Sequence, residues 1–111
     1  MKSTNSILAL TVILTAAVSQ YRFINIGGAQ STAAAESLGV SRTDGEIGDA
    51  IAADVIGTTA VTAGAAIAKG AAIEVGADGK AVTKAAGVTV ARAMEAAAVD
   101  GDLIEVTLIA N

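Results

Sequence analysis

The sequence predicts a mainly β protein, a small barrel or sandwich of short strands with an extended N-terminal arm and at most one short helix. Short apolar or β-branched runs alternate with Gly and Asp at intervals of roughly six to twelve residues, a rhythm typical of all-β folds. The pair Asp78-Gly79 is a strong turn signal, because Gly adopts positive φ at little cost. A length of 111 residues fits one domain.

The predicted strands follow one another along the chain, with Gly-rich or Asp-rich turns between them. Two segments are ambiguous. Residues 30–36 form either a loop or one helical turn. Residues 91–98 have helical propensity and form either one or two helical turns or a strand end that runs into a loop. The strands are expected at 21–26, 38–42, 51–56, 58–62, 71–75, 80–83, 88–94 and 103–109.

The N-terminal apolar run, residues 7–18, allows two interpretations. It follows Lys2 and ends in the small residues Ala17-Val18-Ser19, as a signal peptide with cleavage before Gln20 would. Its β-branched residues instead favour a β-strand or docking arm. It is too short for a transmembrane helix, which needs about 20 apolar residues.

The rest of the chain continues the same β pattern, and this favours the arm over the signal peptide. We therefore divide the chain into a docking arm or strand, residues 1–20, and a single β-rich domain, residues 21–111. The six large aliphatic residues of the arm are the expected partner contacts: Ile7, Leu8, Leu10, Val12, Ile13 and Leu14.

The composition indicates a modest core. Of the 111 residues, 27 are Ala, and the aromatic residues are Tyr21 and Phe23. Because the free energy of burial follows apolar area, small side chains stabilise a monomer weakly. Oligomerisation or docking to a larger surface would supply the missing burial, although a well-packed Ala-rich monomer is also compatible with this composition.

The residue types argue against an enzyme. There is no His to act as a proton shuttle and no Cys to bind a metal. Lys69, Lys80 and Lys84 could act as bases, but no motif surrounds them. Asp100 and Asp102 form the best local carboxylate pair, yet they lack the spacing of a calcium loop and are interpreted as turn residues. We predict no catalytic residue, cofactor or metal.

Charge argues against nucleic acid as a partner, because the net charge is −4 and the basic residues are scattered. The sequence also contains a weak internal echo. A strand followed by Gly48-Asp49 recurs as a strand followed by Gly101-Asp102. Two such units could stack as two hairpins of one barrel.

The ordered set of motifs along the chain resembles the capsid decoration (cement) proteins of tailed bacteriophages. The resemblance covers nearly the whole chain, including the N-terminal apolar stretch. It is carried by Tyr21-Arg22-Phe23-Ile24, Gly27-Gly28, Leu38 to Thr43, Gly48-Asp49, Ala63 to Gly70, Ala77 to Val82, Val90 to Ala96, Asp100-Gly101-Asp102 and Ile104-Glu105-Val106.

This resemblance implies a structural role without catalytic residues. Such a protein is expected on the outer surface of an expanded phage head, after synthesis in the host cytoplasm. It is expected to bridge major capsid protein subunits as a homotrimer and to stabilise the shell against the pressure of packaged DNA. The expected partners are the major capsid protein and further copies of the chain, with no membrane and no nucleic acid. The alternative is a secreted or periplasmic β module exported by a signal peptide.

Overall fold

Eight strands form a nearly closed, barrel-shaped sheet in this computed structural model, which describes residues 4–111. The mainly β fold that the sequence predicts is confirmed. All strand pairs are antiparallel. The strands are β1 (Asn5–Ile13), β2 (Phe23–Ile24), β3 (Gly39–Ser41), β4 (Ala50–Thr62), β5 (Ala72–Val75), β6 (Ala81–Thr83), β7 (Ala91–Ala93) and β8 (Leu103–Leu108), with one 3₁₀ turn at Ala77–Gly79.

Strand β4 organises the sheet. The order is β2-β3-β4-β8-β7-β5-β6, and β1 pairs with β4 as well. Asp54 of β4 faces Ala9 of β1 and Val40 of β3, so these two strands flank β4 on opposite edges. Further along, Thr58 faces Thr107 of β8. The 13-residue β4 therefore connects the two halves of the molecule.

One predicted element differs in the structure, and each of the two ambiguous segments adopts one of its expected alternatives. The strands expected at 51–56 and 58–62 are one strand, which continues through Gly57. The ambiguous segment 91–98 is a strand end that runs into a loop, where Ala97 bridges Ile67. Residues 30–36 contain neither helix nor strand beyond a bridge at Gln30. Tertiary pairing decides these cases, because Ala-rich segments have little side-chain preference for strand or loop.

The turn at Asp78-Gly79 is confirmed. Both residues have positive φ, 59° and 70°, and they connect β5 to β6 as a hairpin. The N–H of Gly76 donates to the carbonyl of Lys80 across the base of the turn. Gly at the second position removes the steric cost of this backbone conformation.

Strand β1 shares the core of the domain. Val12 and Leu14 are buried, and so is Val18, which bridges Gly45. Along the ladder, Val12 lies opposite Ile51, which is buried with it in one apolar cluster. Residues 12–18 therefore pack with the rest of the chain. The division at residue 20 stays a prediction about which part of the chain docks.

The fold contains two structurally equivalent units, which share β4. The first unit comprises β1, β2, β3 and the first half of β4; the second comprises the second half of β4, β5, β7 and β8. In the first, Leu14 exchanges backbone hydrogen bonds with the segment Gly48-Asp49; in the second, Ala63 does so with Gly101-Asp102. The echo between the two Gly-Asp pairs therefore corresponds to a real structural equivalence.

Equivalent positions of the two units contribute to two apolar clusters. The first cluster contains Ile24, and the larger second cluster contains Ile73 together with Phe23 and Val40 of the first unit. Backbone bridges repeat as well, because Val18 pairs with Gly45 where Ile67 pairs with Ala97. The first core contains Val12, Leu14, Val18, Ile24, Ile51 and Ala53, which correspond in order to Val61, Ala63, Ile67, Ile73, Ile104 and Val106 of the second.

Candidate functional site

The outer edge of β1 is an unpaired strand edge in the described part of the chain. Within residues 4–111, β1 pairs with β4 along one edge, and no strand or isolated bridge pairs with its other edge. An unpaired edge presents backbone N–H and C=O groups that another chain can bind. Strand β1 is therefore positioned to receive an extended segment from a partner.

Large aliphatic side chains line this strand. Ile7 is 79% exposed, Leu8 41%, Leu10 40% and Ile13 60%. We call these four residues the β1 strip. Single exposed aliphatic residues are ordinary on protein surfaces, so the notable feature is that four of them lie on one nine-residue strand.

The structure separates the six predicted contact residues into two groups. Four form the β1 strip. Val12 and Leu14 are 8% and 1% exposed, respectively, and pack in the core, so they hold the strand in place and are not accessible to a partner. Sequence alone did not distinguish the groups, because the run from Ile7 to Leu14 is apolar at nearly every position.

A bulge fixes the N-terminal end of β1 against β4. The register shifts on both sides of Leu8, and the partner segment contains Gly57 with a φ of 108°. The N–H of Asn5 donates to Oγ1 of Thr58 at 3.1 Å. The bulge changes which side chains face outward, and it brings the backbone of Asn5 against Gly57.

Buried polar side chains hold the centre of β4. Asp54, which is 1% exposed, accepts a hydrogen bond from Nε of Arg42 at 2.6 Å and another from Oγ1 of Thr59 at 2.8 Å. Thr58 donates to the buried carboxylate of Glu105 at 2.9 Å. These bonds offset part of the cost of burying the two carboxylates, and they tie β4 to Arg42 and to β8.

The carboxylates considered as candidate chemical groups make hydrogen bonds and an ion pair within the fold. The Oδ2 atom of Asp102 accepts hydrogen bonds from the N–H groups of Ala98 and Val99, as expected of a turn residue. Asp100 pairs with Lys80 at 3.0 Å. No group of three or more metal-ligating side chains occurs among residues 4–111. Within the same range, no helix is long and apolar enough to cross a membrane.

Glu74 holds the loop that follows β6. Its Oε1 accepts hydrogen bonds from the N–H groups of Ala85 and Gly87. These two bonds, chiefly that from Ala85, lower the pKa of Glu74 below its usual 4.5, against the opposing effect of desolvation. The carboxylate therefore ties the loop to β5, and the sequence did not identify this role.

An apolar cavity lies beside the part of β4 between the residues that pair with β3 and those that pair with β8. Its volume is about 400 Å³, and Val55 and Ile56 of β4 line it together with Leu38 and Leu108. The side chain of Asn111 reaches across and accepts a hydrogen bond from the N–H of Ser37 at 2.8 Å. No sequence pattern predicted this cavity, because its lining residues are distant along the chain.

A known structure shares this architecture. Among solved structures, the chain is similar to the N base of the head fibre gp8.5 in bacteriophage phi29. The TM-score is 0.75 at 20% sequence identity, over 92% of this chain and 93% of that chain, so the likeness is one of fold. No curated protein matches the sequence.

A family match extends over almost the whole chain, including β1. The model of the phage cement proteins matches residues 1–108, which include β1, both structural units and β8. This match is consistent with a structural protein associated with the capsid of the virion. The chain belongs to the phage cement protein family.

Proposed function

We propose that this protein is a capsid decoration protein that binds the outer surface of an expanded phage head through β1. It bridges neighbouring major capsid protein subunits and stabilises the shell against the pressure of packaged DNA. The observation that carries the proposal is the β1 strip, four exposed aliphatic side chains on a strand whose outer edge is unpaired in the described part of the chain.

The strip by itself would bind weakly. Its four side chains expose the equivalent of about two whole aliphatic residues, and their burial would contribute roughly 3–6 kcal/mol. Association itself costs about 4–15 kcal/mol. Backbone hydrogen bonds along the open edge of β1 are therefore an expected part of the contact.

Multivalency supplies the remaining affinity. We propose a homotrimer, in which the binding of one protomer raises the effective concentration of the other two at their sites. A trimer that engages three subunits holds them together without any single strong contact. The small, Ala-rich core supports this proposal, because association would add buried apolar area that the monomer lacks.

The secreted alternative conflicts with the packing of β1. Cleavage before Gln20 would remove strand β1 together with Val12, Leu14 and Val18, three residues of the first core. Burial of these side chains contributes about 1.5–3 kcal/mol each, a large share of the stability of a small domain. We therefore propose that residues 5–18 are retained in the functional protein.

The test is co-sedimentation of the purified protein with expanded heads that lack it, followed by intact-protein mass spectrometry of the bound material. A variant carrying Ile7→Thr and Ile13→Thr removes apolar area from the strip and keeps β-branched residues in the strand. We expect at least tenfold weaker binding by this variant. Val88→Thr changes an exposed aliphatic residue outside β1 and is the matched control.

Each result has a direct meaning. Saturable binding of the full-length chain, lost in the strip variant and kept in the control, would support the proposal. Equal binding by all three proteins would exclude the strip as the contact. Recovery of a chain that begins at Gln20, outside virus particles, would favour the secreted module instead. Native mass spectrometry of the free protein tests the trimer.

A further inference from the structure

Two turns are hydrogen-bonded to the residues that immediately follow β1. The N–H and Oγ1 of Thr15 donate to the carbonyls of Gly28 and Gly27, respectively. The N–H of Leu14 donates to the carbonyl of Asp49, and its own carbonyl accepts from Gly48. The turns 25–28 and 45–49 are therefore held at the same end of the molecule by consecutive residues.

Each turn carries an exposed isoleucine. Ile26 is 83% exposed and Ile47 is 73% exposed, and neither belongs to an apolar cluster of the core. We call this pair the isoleucine end. Turns usually carry polar residues, so two large β-branched side chains at turn positions are unexpected on structural grounds.

The second structural unit provides an internal comparison. The position equivalent to Ile47 is Asp100, which is exposed and pairs with Lys80. Ile26 has a different local structure from Val75, which follows Ile73 at the same spacing but lies in β5, pairs with Ala81 and is buried. An exposed isoleucine at position 47 is therefore not a requirement of this fold.

The surroundings of the isoleucine end are acidic. Asp44, Glu46 and Asp49 are exposed on the loop that contains Ile47. Two basic residues occur between positions 4 and 50. Of these, Arg42 binds Asp54, and the guanidinium of Arg22 donates to the carbonyl of Asp78. Ile47 is therefore flanked along its loop by carboxylates, while the two basic residues bind elsewhere.

We infer that the isoleucine end is a second surface that binds the capsid shell. It packs into an apolar depression on the major capsid protein that has Lys or Arg at its rim. The inference rests on the proposed capsid function. Charge complementarity selects this partner over a second copy presenting the same end, because two acidic rims would repel each other. Ile13 is followed by Leu14, which is hydrogen-bonded to Gly48 and Asp49, so the isoleucine end adjoins the C-terminal end of the β1 strip.

The experiment measures the affinity of the full-length protein for purified expanded heads at about 50 and 200 mM salt, the range over which screening of surface charges changes. The test variant carries Ile26→Thr and Ile47→Thr. The control is Val99→Thr, an exposed aliphatic residue in the corresponding loop of the second unit. We expect at least tenfold weaker binding by the test variant, unchanged binding by the control, and weaker binding of all proteins at the higher salt concentration.

The possible results separate the two proposals. If the wild-type protein binds heads and the isoleucine variant binds equally well, the inference is overturned while the capsid function stands. If the variant instead loses self-association in native mass spectrometry and keeps its affinity for heads, the end is an interface between copies, which also overturns it. If the wild-type protein does not bind heads, the proposed function itself fails. Thermal denaturation of each variant confirms that the fold is intact.

Discussion

The close approach between Gly57 and the backbone of β1 allows a quantitative prediction about the stability of this strand. A Cβ atom added at Gly57 would lie 2.2 Å from the carbonyl oxygen of Asn5 and 2.9 Å from the N of Ile7, and φ is 108°. Real Cβ atoms do not approach backbone atoms so closely, so Gly57→Ala must displace the N-terminal part of β1. The substitution combines backbone strain with steric overlap.

Gly48 is the matched control. Its φ is also positive, 89°, but a Cβ atom there would meet nothing within 4 Å. Gly48→Ala should therefore cost only the conformational strain, about 1 kcal/mol. Gly57→Ala adds an overlap term and should cost about 2–4 kcal/mol. At about 4 °C per kcal/mol for a domain of this size, the expected losses in Tm are about 4 °C and 8–16 °C.

The assay is thermal denaturation followed by circular dichroism, combined with hydrogen exchange of the β1 amides. In the Gly57→Ala variant, residues 5–8 should exchange faster than in the wild type, whereas the control should leave them protected. Equal losses in Tm for the two variants, with unchanged exchange in β1, would refute the reasoning that the close approach at Gly57 fixes the strand.

Two further predictions concern the core and the loop after β6. Leu14→Ala should lower the free energy of unfolding by about 2–5 kcal/mol in chemical denaturation, because it empties a buried position in the first core; a loss below 1 kcal/mol would show that residues 12–18 are not packed as described. The lowered pKa of Glu74 means that its stabilising contribution is present above pH 4.5 and is lost as the pH falls through the lower folded value. After correction for the intrinsic rate, the amides of Ala85 and Gly87 should therefore lose protection as the pH is lowered from 5, with a midpoint below 4.5, and Glu74→Gln should abolish this pH dependence. A pH dependence that persists in Glu74→Gln would refute the assignment.

The N-terminal segment shows where sequence reasoning succeeded and where it stopped. Its β-branched residues predicted a strand, and β1 is one. Which side chains face outward was not predictable, because nearly all residues of the segment are apolar and alternation therefore specifies neither face. The register shifts around Leu8 then change the alternation locally, and they depend on Gly57, about 50 residues away in the chain.

The sequence predicted only part of the two-unit architecture. The Gly-Asp pairs were recognisable because a turn with positive φ requires particular residues. The cores were not, because a pair such as Leu14 and Ala63 has equivalent backbone hydrogen bonds but different side chains. Core positions require apolar volume and not a specific residue, so structural equivalence can persist without sequence similarity.

Local chemistry alone determined the β class, the turn at Asp78-Gly79 and the lack of a recognisable catalytic motif, because strand propensity, turn conformation and reactive groups are properties of short segments. The ordered motifs also carried the resemblance to phage cement proteins. The tertiary structure decided the rest: the burial of Val12 and Leu14, the exposure of the β1 strip and of Ile26 and Ile47, and the unpaired outer edge of β1 in the described part of the chain. Exposure depends on which distant segments cover a side chain, and the fold alone specifies that coverage.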